Sequence, residues 1–151
     1  LPGRGLMFVV EESQADNCAD GIKRNWVYDI SVPQNPVSIA TTLPPSETDY
    51  RNKGGQFGPH NCHENRSEGF QSEDLVFVSY QNAGVRVYDI SNPFRPEEVA
   101  ACVPPAPARL MDYRPDRPVV VDTTDVHVDR NGLVYTTDMN AGLTIMETEG
   151  L

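Results

Sequence analysis

Apolar and β-branched residues come in short runs along this chain, separated by polar turns. Leu75-Val76-Phe77-Val78-Ser79-Tyr80 and Val85-Arg86-Val87-Tyr88-Asp89-Ile90-Ser91 flank Gln81-Asn82-Ala83-Gly84. Asn and Gly accept the positive φ of a tight turn, so the two runs predict a β-hairpin. Pro93 and Pro96 then interrupt pairing, because neither carries a backbone N–H. A further apolar run, Val99 to Val103, ends at Pro104-Pro105. In the hairpin, Val85 and Val87 face one way and Tyr88 and Ile90 the other, so the sheet needs cover on both faces. Ahead of it, the segment around His60-Asn61-Cys62-His63-Glu64-Asn65 supplies an inner strand. The unit 58–105 then holds four strand candidates, the number in a β-propeller blade.

Pieces of this unit recur on both sides. Tyr28-Asp29-Ile30-Ser31 returns as Tyr88-Asp89-Ile90-Ser91. In the same register, Pro33 and Pro36 return as Pro93 and Pro96, and Leu43-Pro44-Pro45 as Val103-Pro104-Pro105. Leu6-Met7-Phe8-Val9 matches Leu75-Val76-Phe77-Val78 in a longer register, the difference falling where Ser13 to Lys23 replaces the short turn. Downstream, Leu133-Val134-Tyr135 matches Leu75-Val76-Phe77, and Ala141-Gly142-Leu143-Thr144-Ile145-Met146 matches Ala83-Gly84-Val85-Arg86-Val87-Tyr88. His127 matches His63 once the extra residues around Arg66 to Gln71 are set aside. Length changes confined to loops are the mark of a repeat architecture. The expected fold is all-β: a segment of a β-propeller, one domain over 1–151, with about three blades of four-stranded antiparallel sheet. The units are 1–45 without its inner strand, 58–105 complete, and 122–151 without its outer strand. The alternative is a small sandwich of about ten strands. Because a propeller closes with about four to eight blades, the expected partners are further blades, from additional sequence or from another chain.

Composition narrows the function classes. The chain has 151 residues, 13 prolines, 11 glycines and a formal charge of −10. An acidic chain argues against nucleic acid, which asks for a basic stripe. No window is long and apolar enough for a membrane span. No secretory leader is visible, and because the chain starts without Met, a leader removed or never supplied is the expectation. Cys18, Cys62 and Cys102 lack metal-finger spacing and leave the compartment and the disulfide state open. Asn65-Arg66-Ser67 is a glycosylation sequon in the loop inserted around Arg66 to Gln71.

With GVRVYDISNPFRPEEVA at its centre, the repeated strand–turn–strand resembles the LVIVD-repeat β-propellers, over almost the whole chain. In that family a Tyr/Val-Asp-Ile-Ser step precedes a Pro-x-x-Pro element. The last unit departs from it, with Met146-Glu147-Thr148 where Tyr-Asp-Ile would stand. The resemblance implies a secreted, periplasmic or cell-surface protein. More distantly, the propeller type is similar to the selenium-binding and methanethiol oxidase family, which places metal-binding histidines near the propeller axis. No ligand of that family maps onto this chain residue by residue.

Candidate chemistry gathers on the inner strands. His60, Cys62, His63 and Glu64 are all of metal-ligating type. His60 and His63 point to opposite faces of an extended strand, so sharing an ion requires a bend, which Gly58-Pro59 offers. His63 and His127 hold equivalent positions in two units, with Asn61 and Asp125 two residues earlier. A partial metal ring of His60, His63, His127 and Asp125, taking copper or zinc, is one expectation. The other is that these groups only satisfy one another and the backbone between blades. The pairs Glu11-Glu12 and Glu97-Glu98 are expected on solvated loops. No nucleophile motif, phosphate loop or Cys-x-x-Cys pair is present. Two functions follow: a binding or scaffold module for a small-molecule or protein ligand, or a metal-dependent oxidoreductase built on the axial histidines.

Overall fold

Within each sheet, every strand folds back on the next one in sequence. The computed structural model describes residues 1–46 and 48–148. Strands β1 (Leu6–Val10), β2 (Asn25–Asp29) and β3 (Val37–Thr41) form the first sheet. Strands β4 (Leu75–Ser79), β5 (Val85–Asp89) and β6 (Glu97–Cys102) form the second. Strands β7 (Thr123–Val128), β8 (Leu133–Asp138) and β9 (Gly142–Glu147) form the third. All three sheets are separate, antiparallel and three-stranded, and there is no α-helix among the described residues. No described helix is long and apolar enough to cross a membrane. β1 and β9 do not pair with each other, so no small barrel closes. Residues 149–151 of the expected third unit lie outside the described residues.

The repeat is visible in atomic detail. Asp29 and Asp89 each close their strand by accepting the N–H of Ser31 and Ser91, at 2.8 and 2.7 Å. This Asx turn is the physical content of the Tyr-Asp-Ile-Ser step, and the bonds to those serines hold both carboxyls below the usual range. The turns that follow are also equivalent, with Asn35 N–H on Val32 O and Arg95 N–H on Asn92 O. The register slips between Val27 and Tyr28 in one sheet and between Val87 and Tyr88 in the next. Ile39 and Val99, which correspond in the repeat, are therefore the extra residues of two equivalent bulges.

Packing joins the sheets through both faces of the second. On one face Val76, Val78, Tyr88 and Ile90 pack with Phe8 and Val10 of β1. On the other, Phe77, Val85 and Val87 pack with Val126, Val128, Val134 and Met146 of the third sheet. Each fully buried aliphatic or aromatic side chain in these layers contributes roughly 1.5–3 kcal/mol. Arg86, also fully buried, donates to Ala83 O and to Glu98 Oε1 at 3.2 Å, and lies 5.3 Å from the Tyr50 ring centroid.

Two expectations need correction. The middle unit is not a complete four-stranded blade: the segment ahead of β4 makes a single bridge, Cys62 to Val78. Its backbone does lie along β4, with His63 N–H on Phe77 O and Ser79 N–H on Asn61 O, both at 2.9 Å. The ladder stops because Asn61 N–H is taken by Ser79 Oγ, which shifts His60 N–H onto Ser79 O. Glu97 and Glu98 are not in a loop; they open β6, where Glu98 meets Arg86.

The β4–β5 turn ties the loops of one end together. Gln81 and Asn82 are fully buried, and their side-chain amides donate to Ser13 O, Tyr50 O and Gly54 O. Gly84 ends the turn with φ +74, and a Cβ there would collide with Cys102 O.

Candidate functional site

The segment beside β4 carries His63 into the gap between the second and third sheets. Its Nδ1 accepts the Val128 N–H at 3.1 Å, and its Nε2 lies 2.8 Å from Phe70 O. A carbonyl only accepts, so Nε2 carries the proton and the ring is neutral. Burial is the main cause that pushes its pKa down; the bond to Phe70 O opposes that shift and the nearby His127 adds to it. Both ring nitrogens are thereby engaged, and in this arrangement His63 has no lone pair for an ion.

His127 lies beside it, ring centroids 5.4 Å apart at 69°, but on the exposed far face of the third sheet, against Tyr135. The inserted loop closes over this pair. Gly69 comes so near that a Cβ would stand 3.2 Å from His63 Cε1 and 3.3 Å from His127 Cε1. The loop is pinned by Phe70 N–H on Val128 O at 2.9 Å and by Arg130 Nη2 on Ser67 O at 2.6 Å. Asn65, in the sequon, is exposed and spends its side chain on the Ser72 backbone.

Beside β7 and the segment preceding β4 runs an open polar cleft of about 280 Å³. Asn61, Glu64, Arg66, Glu68, Asp125 and His127 line it. Arg66 donates from Nε to Glu64 at 2.6 Å, and that bond, with the Glu64 charge, raises its pKa. Asp125 Oδ1 accepts the Val126 N–H. Three of the four expected metal residues are thus brought together here: His63, His127 and Asp125.

His60 is not among them. Its Nε2 pairs with Glu12 of the β1–β2 loop at 3.0 Å, and its buried Nδ1 has no hydrogen-bond partner. Glu12 is therefore engaged rather than merely solvated, and Glu11 likewise accepts the Arg24 N–H. Nearby, Asp122 is buried with Oδ1 unpartnered. Burial and the Asp138 carboxylate push its pKa up, while Arg117 and His60 pull it down. Asp138 is held by the N–H groups of Asp122, Asn140 and Ala141 and by the Thr123 hydroxyl. Asp122 and Asp125 do not converge, one being buried and the other exposed.

Among the described residues no group of three or more His, Cys, Asp or Glu side chains is placed to hold a metal ion. Cys18, Cys62 and Cys102 are free thiols. Cys62 packs against the core between the first two sheets, and burial raises its pKa. Pattern reasoning missed Phe70, Val128 and Glu12, the partners that decide what His63 and His60 do. Compared with protein-family models, curated proteins and solved structures, the chain matches none of them.

Proposed function

We propose that the chain is an LVIVD-like propeller segment that serves as a binding module, taking a small cationic, hydrogen-bonding ligand in the cleft beside β7 and the segment preceding β4. The observation that carries this reading is the charge balance of the cleft. Among the side chains lining it, Glu64, Glu68 and Asp125 outnumber one guanidinium, Arg66, which is already spent on Glu64, while Arg130 beside the lining acts on Glu68. A concave site lined by one sign of charge concentrates ligands of the other. The oxidoreductase alternative, with copper or zinc, is not adopted, because His63 is committed through both nitrogens and His60 belongs to the other end.

The test is a titration with arginine methyl ester, followed by amide and imidazole NMR shifts. Expected are saturating shifts at Asn61, Asp125 and His127, weakened at least tenfold by Asp125→Asn and absent with a neutral analogue. Shifts that scatter over the surface, or that ignore Asp125→Asn, overturn the reading.

A further inference from the structure

Between β6 and β7 the chain runs through Pro104-Pro105-Ala106-Pro107-Ala108-Arg109-Leu110. Its prolines lack backbone donors and push the residues before them away from helix. Local pairing is thereby denied to this stretch, and no other element supplies it. Among the described residues, Pro104 to Leu110 make no hydrogen bond. Arg109 is exposed, as are Ala108 before it and Met111 beyond it, and among the described residues its guanidinium meets no carboxylate.

The other basic residues are withheld in two ways. Proline follows Arg95, Arg114 and Arg117, and a bond to proline resists a protease because the ring crowds the residue before it. The rest sit in backbone that is already tied. Arg86 is fully buried in β5, and Arg4 donates to Ile90 O and Ser91 O. Lys23 and Arg24 lead straight into β2, with Glu11 N–H on Arg24 O. Arg51 and Lys53 lie in a loop whose Tyr50 and Gly54 carbonyls are held by Asn82. Arg66 O accepts the Gly69 N–H, and Arg130 stands in a turn closed by Gly132 N–H on Asp129 O. A protease binds its substrate as an extended strand against its own edge, so backbone with prior partners must first be torn loose. The bond after Arg109 needs no such opening.

We infer that the Arg109–Leu110 bond is a processing site for a trypsin-like serine protease, cut once while the third sheet stays seated on the second. Water adds across the amide, leaving a carboxylate on Arg109 and a free α-amino group on Leu110. Val126, Val128, Val134 and Met146 remain packed on Phe77, Val85 and Val87 after the cut. Main-chain bonds cross the same gap, in both directions between Gln81 and Thr123 at 3.1 Å and from Phe70 N–H to Val128 O. Downstream of the cut, Met111 N–H on Asn140 O and Arg117 on Asp16 hold the new end in place. Only the proline stretch is released. This site depends neither on the propeller reading nor on the cationic ligand.

Brief digestion of the folded chain with a trace of trypsin tests this, read by mass spectrometry of the fragments and by native size exclusion. Expected as first products are 1–109 and 110–151, eluting together until denaturant parts them. Arg109→Gln and Leu110→Pro, both checked for folding by far-UV circular dichroism, should each slow the first cut roughly tenfold or more. Arg130→Gln should leave its rate unchanged. A first cut after Lys53, Arg66 or Arg130 overturns the inference. So does an undiminished rate in Arg109→Gln, and so do fragments that part without denaturant.

Discussion

Val128 donates its main-chain N–H to Nδ1 of His63 across the gap between two sheets, at 3.1 Å. This single bond ties β7 to the segment preceding β4, and it fixes the imidazole tautomer. One of the histidines expected at a metal site serves here as a clasp between layers.

His63→Ala leaves the Val128 N–H and the Phe70 carbonyl without that partner in a half-buried gap. The expected loss is about 1–3 kcal/mol, the cost of stranding such groups. His127→Ala, at the equivalent but exposed position, is expected to change stability by no more than about 0.5 kcal/mol. Urea unfolding of both variants checks the contrast; equal losses would contradict the clasp.

Acid should loosen the same contact. The folded state lowers the His63 pKa below the ordinary histidine value, chiefly by burial, so the unfolded chain binds the proton more readily. The contribution is complete above roughly pH 6.5 and is lost as pH falls through the lower, folded value. His63→Gln keeps an acceptor but does not titrate. Its stability should therefore fall less than that of the wild type between about pH 7 and 5, a window above most carboxylate titrations. Parallel curves would rule the linkage out.

Asp122 works with the opposite sign. Its pKa is raised by burial and by Asp138, so the folded state prefers the neutral carboxyl and the charged form is a penalty at neutral pH. Asp122→Asn is expected to stabilise at pH 7 by on the order of 1 kcal/mol, the scale of one buried unpartnered group. The gain should fade as pH falls through the folded pKa, where the wild type becomes neutral too. A destabilised Asn variant at pH 7 would show that the charge is needed.

Two glycines separate backbone conformation from space. Gly21 has φ +85 and open space where a methyl would go, whereas Gly84 has φ +74 with Cys102 O in the way. Gly21→Ala should cost about 1 kcal/mol, the conformational term alone. Gly84→Ala must also move β6 and should cost more than about 3 kcal/mol or prevent folding. Thermal melts of the pair decide it.

The sheets are legible from the chain because turn residues and apolar alternation are local signals that the repeat sounds more than once. Period alone assigns Val85 and Val87 to one face and Tyr88 and Ile90 to the other, as the packing has them. The fourth strand fails for a reason no periodicity carries: a serine hydroxyl, Ser79 Oγ, takes the amide that would have extended the ladder. The site is half legible. Equivalent positions bring His63, His127 and Asp125 together, but the partners of His63 are main-chain groups of Phe70 and Val128, which leave no mark in residue type. His60 escapes pattern reasoning because Glu12 sits in a loop whose path depends on the long Ser13 to Lys23 excursion.

The bulges at Ile39 and Val99 have a consequence for how copies of this chain can meet. Lateral accretion, strand beside strand into a ribbon, needs a flat outer edge with evenly spaced donors and acceptors. An extra residue breaks that spacing midway along β3 and again midway along β6, and it coils the rim away from any incoming strand. Along these two margins the molecule is defended against fibril-like growth by one inserted residue apiece.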